Sequence, residues 1–260
     1  MYVPDKNRIS VAFDRAAHNY DQIAQFQHTV SDDLARFLAD CAPDMPEPAS
    51  ALDGGCGTGY GSALLARKWP NCQLTGCDLS IEMLRLARSR QMDAVLADLE
   101  QLPFRSRQFD FIWSSLALQW CRTPNVYAEL HRVLNDGGTL VFATLGPGTL
   151  TELDHAFSEV DTHRHVRSFS SAHETGRALK DTGFQHVRIM NETRTTHFQD
   201  FNSFLLSVRG IGANQVGSGR RRSMMGKNAW ERAKERYEDL RDMDGLLPAT
   251  YELIFGFARR

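Results

Sequence analysis

No apolar run in this 260-residue chain is long enough to cross a bilayer, and the polar start Met1-Tyr2-Val3-Pro4-Asp5-Lys6 is not that of a signal peptide. A soluble, cytoplasmic protein with no membrane partner is expected. Neither charge is in real excess: 30 basic residues face 32 acidic ones, a net of −2. That excludes broad electrostatic binding of nucleic acid and leaves only a local patch open. The five cysteines, Cys41, Cys56, Cys72, Cys77 and Cys121, are odd in number and form no C-x-x-C pair. Neither a disulfide framework nor a zinc site is indicated. His163-Arg164-His165 has no acid or cysteine spaced to complete a metal site, so a polar loop is expected there and no metal. Apolar content of 42% is ample for the core of one large α/β domain with insertions.

The chain is organised around Ala51-Leu52-Asp53-Gly54-Gly55-Cys56-Gly57-Thr58-Gly59. A short apolar run ends in an acid and a glycine-dense turn, and the spacing of Ala63, Leu64, Leu65, Ala66 and Trp69 then predicts a helix. Glycines at such a βα turn let the backbone approach a ligand with no Cβ in the way. Two phosphate-binding patterns fail. A third dinucleotide glycine would fall on Tyr60 or Ser62, and no Gly-Lys-Ser/Thr closes the turn. The carboxylate at the turn would repel a pyrophosphate and suit an ammonium or sulfonium group. About 20 residues on, Gln73 to Asp78 reads as a second strand ending in an acid, the position that binds ribose hydroxyls in doubly wound folds. Ser80 can cap a helix over 81–90, with Met83, Leu84 and Ala87 inward. Residues 94–97 read as a third strand, ending in Asp98.

Asp53, Gly55, Gly57 and Gly59, with acids at three successive strand ends, resemble the class I S-adenosylmethionine-dependent methyltransferases. The resemblance implies that the glycine turn holds the methionine amino group, Asp78 the ribose, and Asp98 and Leu99 the adenine. Further along, residues 109–114 read as a fourth strand, whose exit Ser115-Leu116-Ala117-Leu118-Gln119-Trp120-Cys121 should border the transferring methyl. Trp120 is either a substrate wall or a packing residue. Val126, Leu130, Val133 and Leu134 make a helix stopped by Asn135-Asp136-Gly137-Gly138, then residues 139–144 a fifth strand and 185–190 a sixth.

Before the core, Val30, Leu34, Phe37 and Leu38 share one helical face, while Arg15, Tyr20 and Gln27 are polar groups beside it. Packing on the sheet and covering the cofactor are both open for this arm, and Tyr20 either faces the active site or does not. Pro43, Pro46 and Pro48 mark the linker to the first strand. After the core, Phe201, Phe204, Leu205 and Val208 form an apolar stripe. Arg220, Arg221, Arg222, Lys227, Arg232, Lys234 and Arg236 follow it, opposed by only two acids between 209 and 236. This is a solvated loop or a basic landing site for an acidic macromolecule. Residues 248–257 read as the last strand.

Five stretches narrow the resemblance: residues 13–21, 115–121, 148–153, Arg209-Gly210-Ile211-Gly212-Ala213, and Pro248-Ala249-Thr250-Tyr251. Together they are similar to the malonyl-acyl-carrier-protein O-methyltransferases of biotin synthesis, from about residue 8 to the end. Two positions depart: Ser115 stands where asparagine is more usual, and Gly54-Gly55 doubles a glycine. The resemblance implies an α/β class I methyltransferase (Rossmann-like) fold, a doubly wound sheet with an antiparallel last strand, an N-terminal helical arm and helical lid insertions. The expected divisions are a helical cap at 1–48, the cofactor core at 49–198 with an insertion near 146–168, a basic lid at 199–246, and the last strand at 247–260. The implied activity is methylation of the free carboxylate of malonyl-acyl carrier protein, or of malonyl-coenzyme A, by a monomer. Arg209 would pair that carboxylate, with Tyr20 and Gln119 orienting it. Trp120 would line the substrate site and Arg220, Arg221 and Arg222 would meet the carrier. Cofactor contacts are expected from Arg15, Gln27, Asp53, Gly55, Gly57, Gly59, Asp78, Leu79, Met83, Asp98, Leu99 and Ser114. A methyltransferase of a free small diacid, a quinone C-methyltransferase and a non-catalytic S-adenosylmethionine sensor are the alternatives.

Overall fold

A computed structural model describes residues 5–160, 162–163, 165–210 and 226–260, with 209 and 210 as backbone alone. An N-terminal arm of helices α1 (Lys6–Ala16), α2 (Tyr20–Ile23) and α3 (Gln25–Cys41) precedes β1 (Ser50–Gly54). Then come α4 (Tyr60–Lys68), β2 (Gln73–Asp78), α5 (Ile81–Ser89), β3 (Ala94–Leu96), β4 (Phe109–Ser115), α6 (Thr123–Val133) and β5 (Leu134–Leu145). The chain ends with α7 (Thr151–Phe157), α8 (Ala172–Asp181), β6 (Gln185–Phe198), α9 (Phe201–Gly210), α10 (Lys227–Glu238) and β7 (Leu247–Arg259). Among the described residues no helix is long and apolar enough to cross a membrane.

The seven strands form one sheet, ordered β3-β2-β1-β4-β5-β7-β6. The strands from β3 to β5 pair in parallel, and β7 runs antiparallel to both β5 and β6. β1 lies at the centre with the direction of the order reversing beside it, so ligands meet its carboxyl end. Alternate residues of the central strands feed two cores. Leu52, Ile112, Leu140 and Phe142 pack against α6 and α8 on one face. Ala51, Phe111, Trp113, Val141 and Ala143 meet α3 and α4 on the other. Val30, Leu34, Phe37 and Leu38 are all buried there, which stabilises the docked helix by about 1.5–3 kcal/mol per side chain. A third cluster joins α7, α9 and α10 over Leu247 and Ala249 at the start of β7.

Several boundaries differ from the sequence expectation. α6 stops at Val133 and β5 starts at Leu134 with no turn between, because Leu134 pairs with Phe109. β3 ends at Leu96, and Asp98 sits in the following turn, bridged to Gln101. β6 runs to Phe198, well past 190, because β7 continues to pair with it as far as Leu247.

Candidate active site

The glycine turn closes over the end of β2. Gly55 and Cys56 N–H groups both donate to the Cys77 carbonyl, at 2.8 and 2.9 Å, and the Gly57 N–H donates to Asp78 Oδ2 at 2.9 Å. Gly55 and Gly57 hold φ of +76° and +53°, a region that favours glycine. A Cβ on Gly55 would stand 2.2 Å from the Ala117 Cβ, whereas one on Gly57 would meet nothing within 4 Å. The Gly57 backbone thus borders open space. Asp78 also accepts from the Ser80 N–H at 2.8 Å, and Ser80 caps α5 by accepting from Met83 N–H at 3.1 Å.

A cavity of about 70 Å³ lies on this turn, lined by Gly55, Gly57, Asp78, Leu79, Met83 and Leu99 among others. Its roof is the arm: Ile9, Phe13 and Tyr20 line the same space. The arm is tied down by polar contacts at several points. Ser80 Oγ donates to Asp14 at 2.6 Å, Ser10 Oγ to the Leu79 carbonyl at 3.0 Å, and Thr58 Oγ1 to Asp21 at 2.6 Å. Lys6 Nζ reaches Asp98 at 2.9 Å and Glu100 at 2.7 Å. Asp98, Glu100 and Cys121 could together hold a metal ion by their spacing, but the Lys6 ammonium already lies among them. Burial also pushes the Cys121 thiol up to about 12, so it stays protonated and is a poor ligand.

Other expected cofactor residues fall elsewhere. Arg15 is exposed and does not line this cavity. Gly59 is the left-handed cap of α4, and Ser114 is buried with its hydroxyl donating to the Gly54 carbonyl at 2.8 Å. Asp53 is buried behind the turn, accepting from Ser62 Oγ at 2.6 Å. Burial pushes its carboxyl up to about 7; the Ser62 hydroxyl opposes this and the charge of Asp78 adds to it. Asp78 is likewise held above the usual carboxylate range by burial, against its backbone donors.

A second cavity of about 220 Å³ adjoins the first, and Phe13, Tyr20, Leu116 and Trp120 line both. Leu116 holds a left-handed backbone, φ +52°, at this junction. The chamber is mostly apolar, walled by Phe26, Leu150, Leu153, Phe157, Leu205 and Trp230. The insertion after β5 and the α9–α10 segment therefore supply its far side. Gln27 lines this chamber rather than the smaller cavity, and among the described residues its buried Oε1 has no hydrogen-bond partner. Gln119 lines it too, but its amide is engaged: Nε2 donates to the Leu116 carbonyl at 2.7 Å and Oε1 accepts from Thr144 at 3.3 Å. Burial and the charges of Asp78 and Asp21 raise the Tyr20 phenol, so it stays protonated.

Among the described residues one cation lines the chamber, Arg167. It is buried, with its guanidinium 4.9 Å from the Trp120 ring centre. Sequence reasoning missed it, and assigned His165 to a polar loop, whereas it stacks on Phe157 at 3.8 Å in the chamber wall. The signal was there in His165-Val166-Arg167-Ser168-Phe169, an alternation of polar and apolar residues in what reads as a polar loop. The Arg209 side chain and Arg220, Arg221 and Arg222 lie outside the described residues. Of the described lid cations, Arg236 pairs with Glu159 and holds α10 to α7.

Residues 52–142 match the model of a methyltransferase domain family. In overall fold the chain is similar to the YcgJ protein of Bacillus subtilis, with a TM-score of 0.62 at 16% identity over 88% of this chain and 98% of that one. It is also similar to geranyl diphosphate C-methyltransferase of Streptomyces coelicolor, solved with S-adenosylhomocysteine, with a TM-score of 0.53 at 17% identity over 93% and 83%. Sequence relatives are much closer. A malonyl-[acyl-carrier protein] O-methyltransferase of Herminiimonas arsenicoxydans is 51% identical over 98% of this chain and 96% of its own length. One from Laribacter hongkongensis is 42% identical over 100% and 91%. A biotin biosynthesis bifunctional protein of Cellvibrio japonicus is 34% identical over 96% of this chain, which spans 49% of that longer protein. With a class I methyltransferase fold and near full-length likeness to these relatives, the chain belongs to the malonyl-[acyl-carrier protein] O-methyltransferase family.

Proposed function

We propose that this protein transfers a methyl group from S-adenosylmethionine to the free carboxylate of malonyl-acyl carrier protein, giving the methyl ester used for biotin precursor synthesis. The observation that carries the reading is the pair of adjoining cavities. One is floored by a glycine turn and Asp78; the other is apolar and contains the buried Arg167 guanidinium. Bound in the first, S-adenosylmethionine would supply an electrophilic methyl on a positively charged sulfur. The Gly55 and Gly57 backbones and Asp78 would hold it, with Leu79, Met83 and Leu99 as apolar walls.

The acceptor needs no general base, because a carboxylate is already ionised at neutral pH. The protein's task is positioning and exclusion of water. Arg167 supports an assignment as the partner of the incoming carboxylate, with the protonated Tyr20 and the unpartnered Gln27 oxygen fixing the orientation of the rest of the malonyl group. Phe13, Leu116 and Trp120 would close the junction to water. A guanidinium that gripped both carboxylate oxygens would stabilise the ground state, so one oxygen must be left for the methyl. Arg209, on the same helix as Leu205 and Val208, is a second candidate for this pairing.

Mass spectrometry of malonyl-acyl carrier protein, incubated with the protein and S-adenosylmethionine, tests the reading. A gain of one methylene, reversed by mild ester hydrolysis, is expected. Free malonic acid and malonyl-coenzyme A run alongside; methylation of free malonic acid in preference to the carrier species would overturn the assignment in favour of a small diacid.

A further inference from the structure

Beside the chamber lies a third cavity, of about 420 Å³, which the positioning scheme above leaves unused. It is bounded by α6, α8 and residues 167–170. Its outer lining, Arg122, Ser168 and Arg177, is exposed. Its inner lining is buried or half-buried and includes Gln119, Leu145, Arg167 and Phe169, all of which line the substrate chamber as well. The two spaces therefore converge on one wall.

Their linings differ in kind. The chamber is walled by aromatic and aliphatic side chains, whereas Thr123, Thr144, Ser170, Thr175 and Thr182 bring hydroxyls to the third cavity. Thr123 and Ser170 meet across it at 3.1 Å. Arg122 and Arg177 stand at the outer lining, Arg122 with its Nε donating to Glu100 at 2.6 Å. Of the two acids there, Glu174 is engaged in the Ser171 cap of α8, and Asp181 lies at the other end of that helix. A passage richer in hydroxyls than the chamber, with cations outside and an apolar chamber inside, suits one kind of ligand. That ligand is a slender chain of amides and hydroxyls, with a phosphate at its outer end and an acyl thioester at its inner end.

We propose that this cavity is the passage by which the phosphopantetheine arm of the carrier reaches the chamber, with its phosphate at the Arg122–Arg177 rim. The inference rests on the carrier-dependent reading above. It puts the carrier on the α6–α8 face of the protein and not on the α9–α10 side.

The test compares two malonyl thioesters on the full-length protein: malonyl-acyl carrier protein and malonyl-N-acetylcysteamine, which lacks the phosphate and most of the arm. Ser170→Trp plugs the passage and Arg177→Glu reverses the rim. Both should lower kcat/KM for the carrier substrate by about tenfold or more while leaving the short thioester within about twofold. Lys227→Glu, on α10, should leave both substrates unchanged. Calorimetric S-adenosylmethionine binding reports that each variant is folded; Ala178→Trp narrows the same passage if Ser170→Trp does not bind. Carrier turnover unchanged in the plugged and reversed variants would overturn the proposal, as would equal loss on both substrates with cofactor binding intact. A wild-type protein that methylates neither thioester would instead remove the functional reading on which the proposal stands.

Discussion

The two adjoining cavities are built by opposite means. The smaller is made by consecutive βα turns: backbone N–H groups, glycines without side chains and the carboxylate of Asp78, with Asp53 behind. The larger is made by side chains from the arm, the β4 exit, the insertion after β5 and α9–α10, with one described cation, Arg167. Negative charge thus gathers where a cationic donor would sit and positive charge where an anionic acceptor would sit. Electrostatic order of this sort needs no movement at the moment of reaction. On the proposed reading, the side built from backbone would serve a ligand common to many methyltransferases, and the side built from side chains is free to differ.

Breaking the contrast at its positive pole should have the largest effect. Arg167→Met should lower kcat/KM for malonyl-acyl carrier protein by about 30- to 5,000-fold, the range for removing one partner of a buried charged pair. S-adenosylmethionine affinity by calorimetry should stay within about threefold. The negative pole is tested by pH. Asp53 has a folded pKa near 7, above its unfolded value, so the folded state binds its proton more tightly. Stability from this group is full below about pH 4 and is lost as pH rises towards 7, at no more than about 1.4 kcal/mol per unit. Denaturant titrations of Asp53→Asn should show a flatter profile between pH 5 and 8, as rough limits for a carboxyl so shifted. Asp78→Asn should weaken cofactor binding by about 10- to 100-fold, the loss of a charge-assisted hydrogen bond. Its kcat at saturating cofactor should change far less. Smallest is Ser80→Ala, which removes the α5 cap and the Asp14 contact that holds the arm over the cavity. About 1–2 kcal/mol of stability should be lost, a fall in Tm of several degrees by calorimetry.

The same contrast explains what could be read from the chain alone. Asp53, Gly55, Gly57 and Asp78 act through local backbone geometry, so their spacing carried the first cavity directly. The α3 stripe was legible because a helix buries one face at fixed intervals. The extension of β6 was not. Residues 191–197 alternate between exposed and half-buried without strongly apolar side chains, and what holds them is pairing with β7, some fifty to sixty residues away. Leu134 was assigned to the helix by its period, while its pairing with Phe109 makes it strand. Arg167 was missed for a related reason. Its meaning depends on Trp120, which no local pattern brings beside it.

The pairing of Phe198 with Leu247 carries a further consequence. Everything between them, some fifty residues, leaves and re-enters the sheet at one cross-strand pair, so it is an enlarged hairpin connection. Because loop-closure entropy grows only logarithmically with length, such a connection tolerates growth or replacement at little cost to the strands that bracket it. None of its described residues lines the cofactor cavity, while Leu205, Val208 and Trp230 line the chamber. Part of the chamber wall is thereby housed in a segment that a lineage, or an engineer, can exchange whole while the glycine-turn cavity stays as it is.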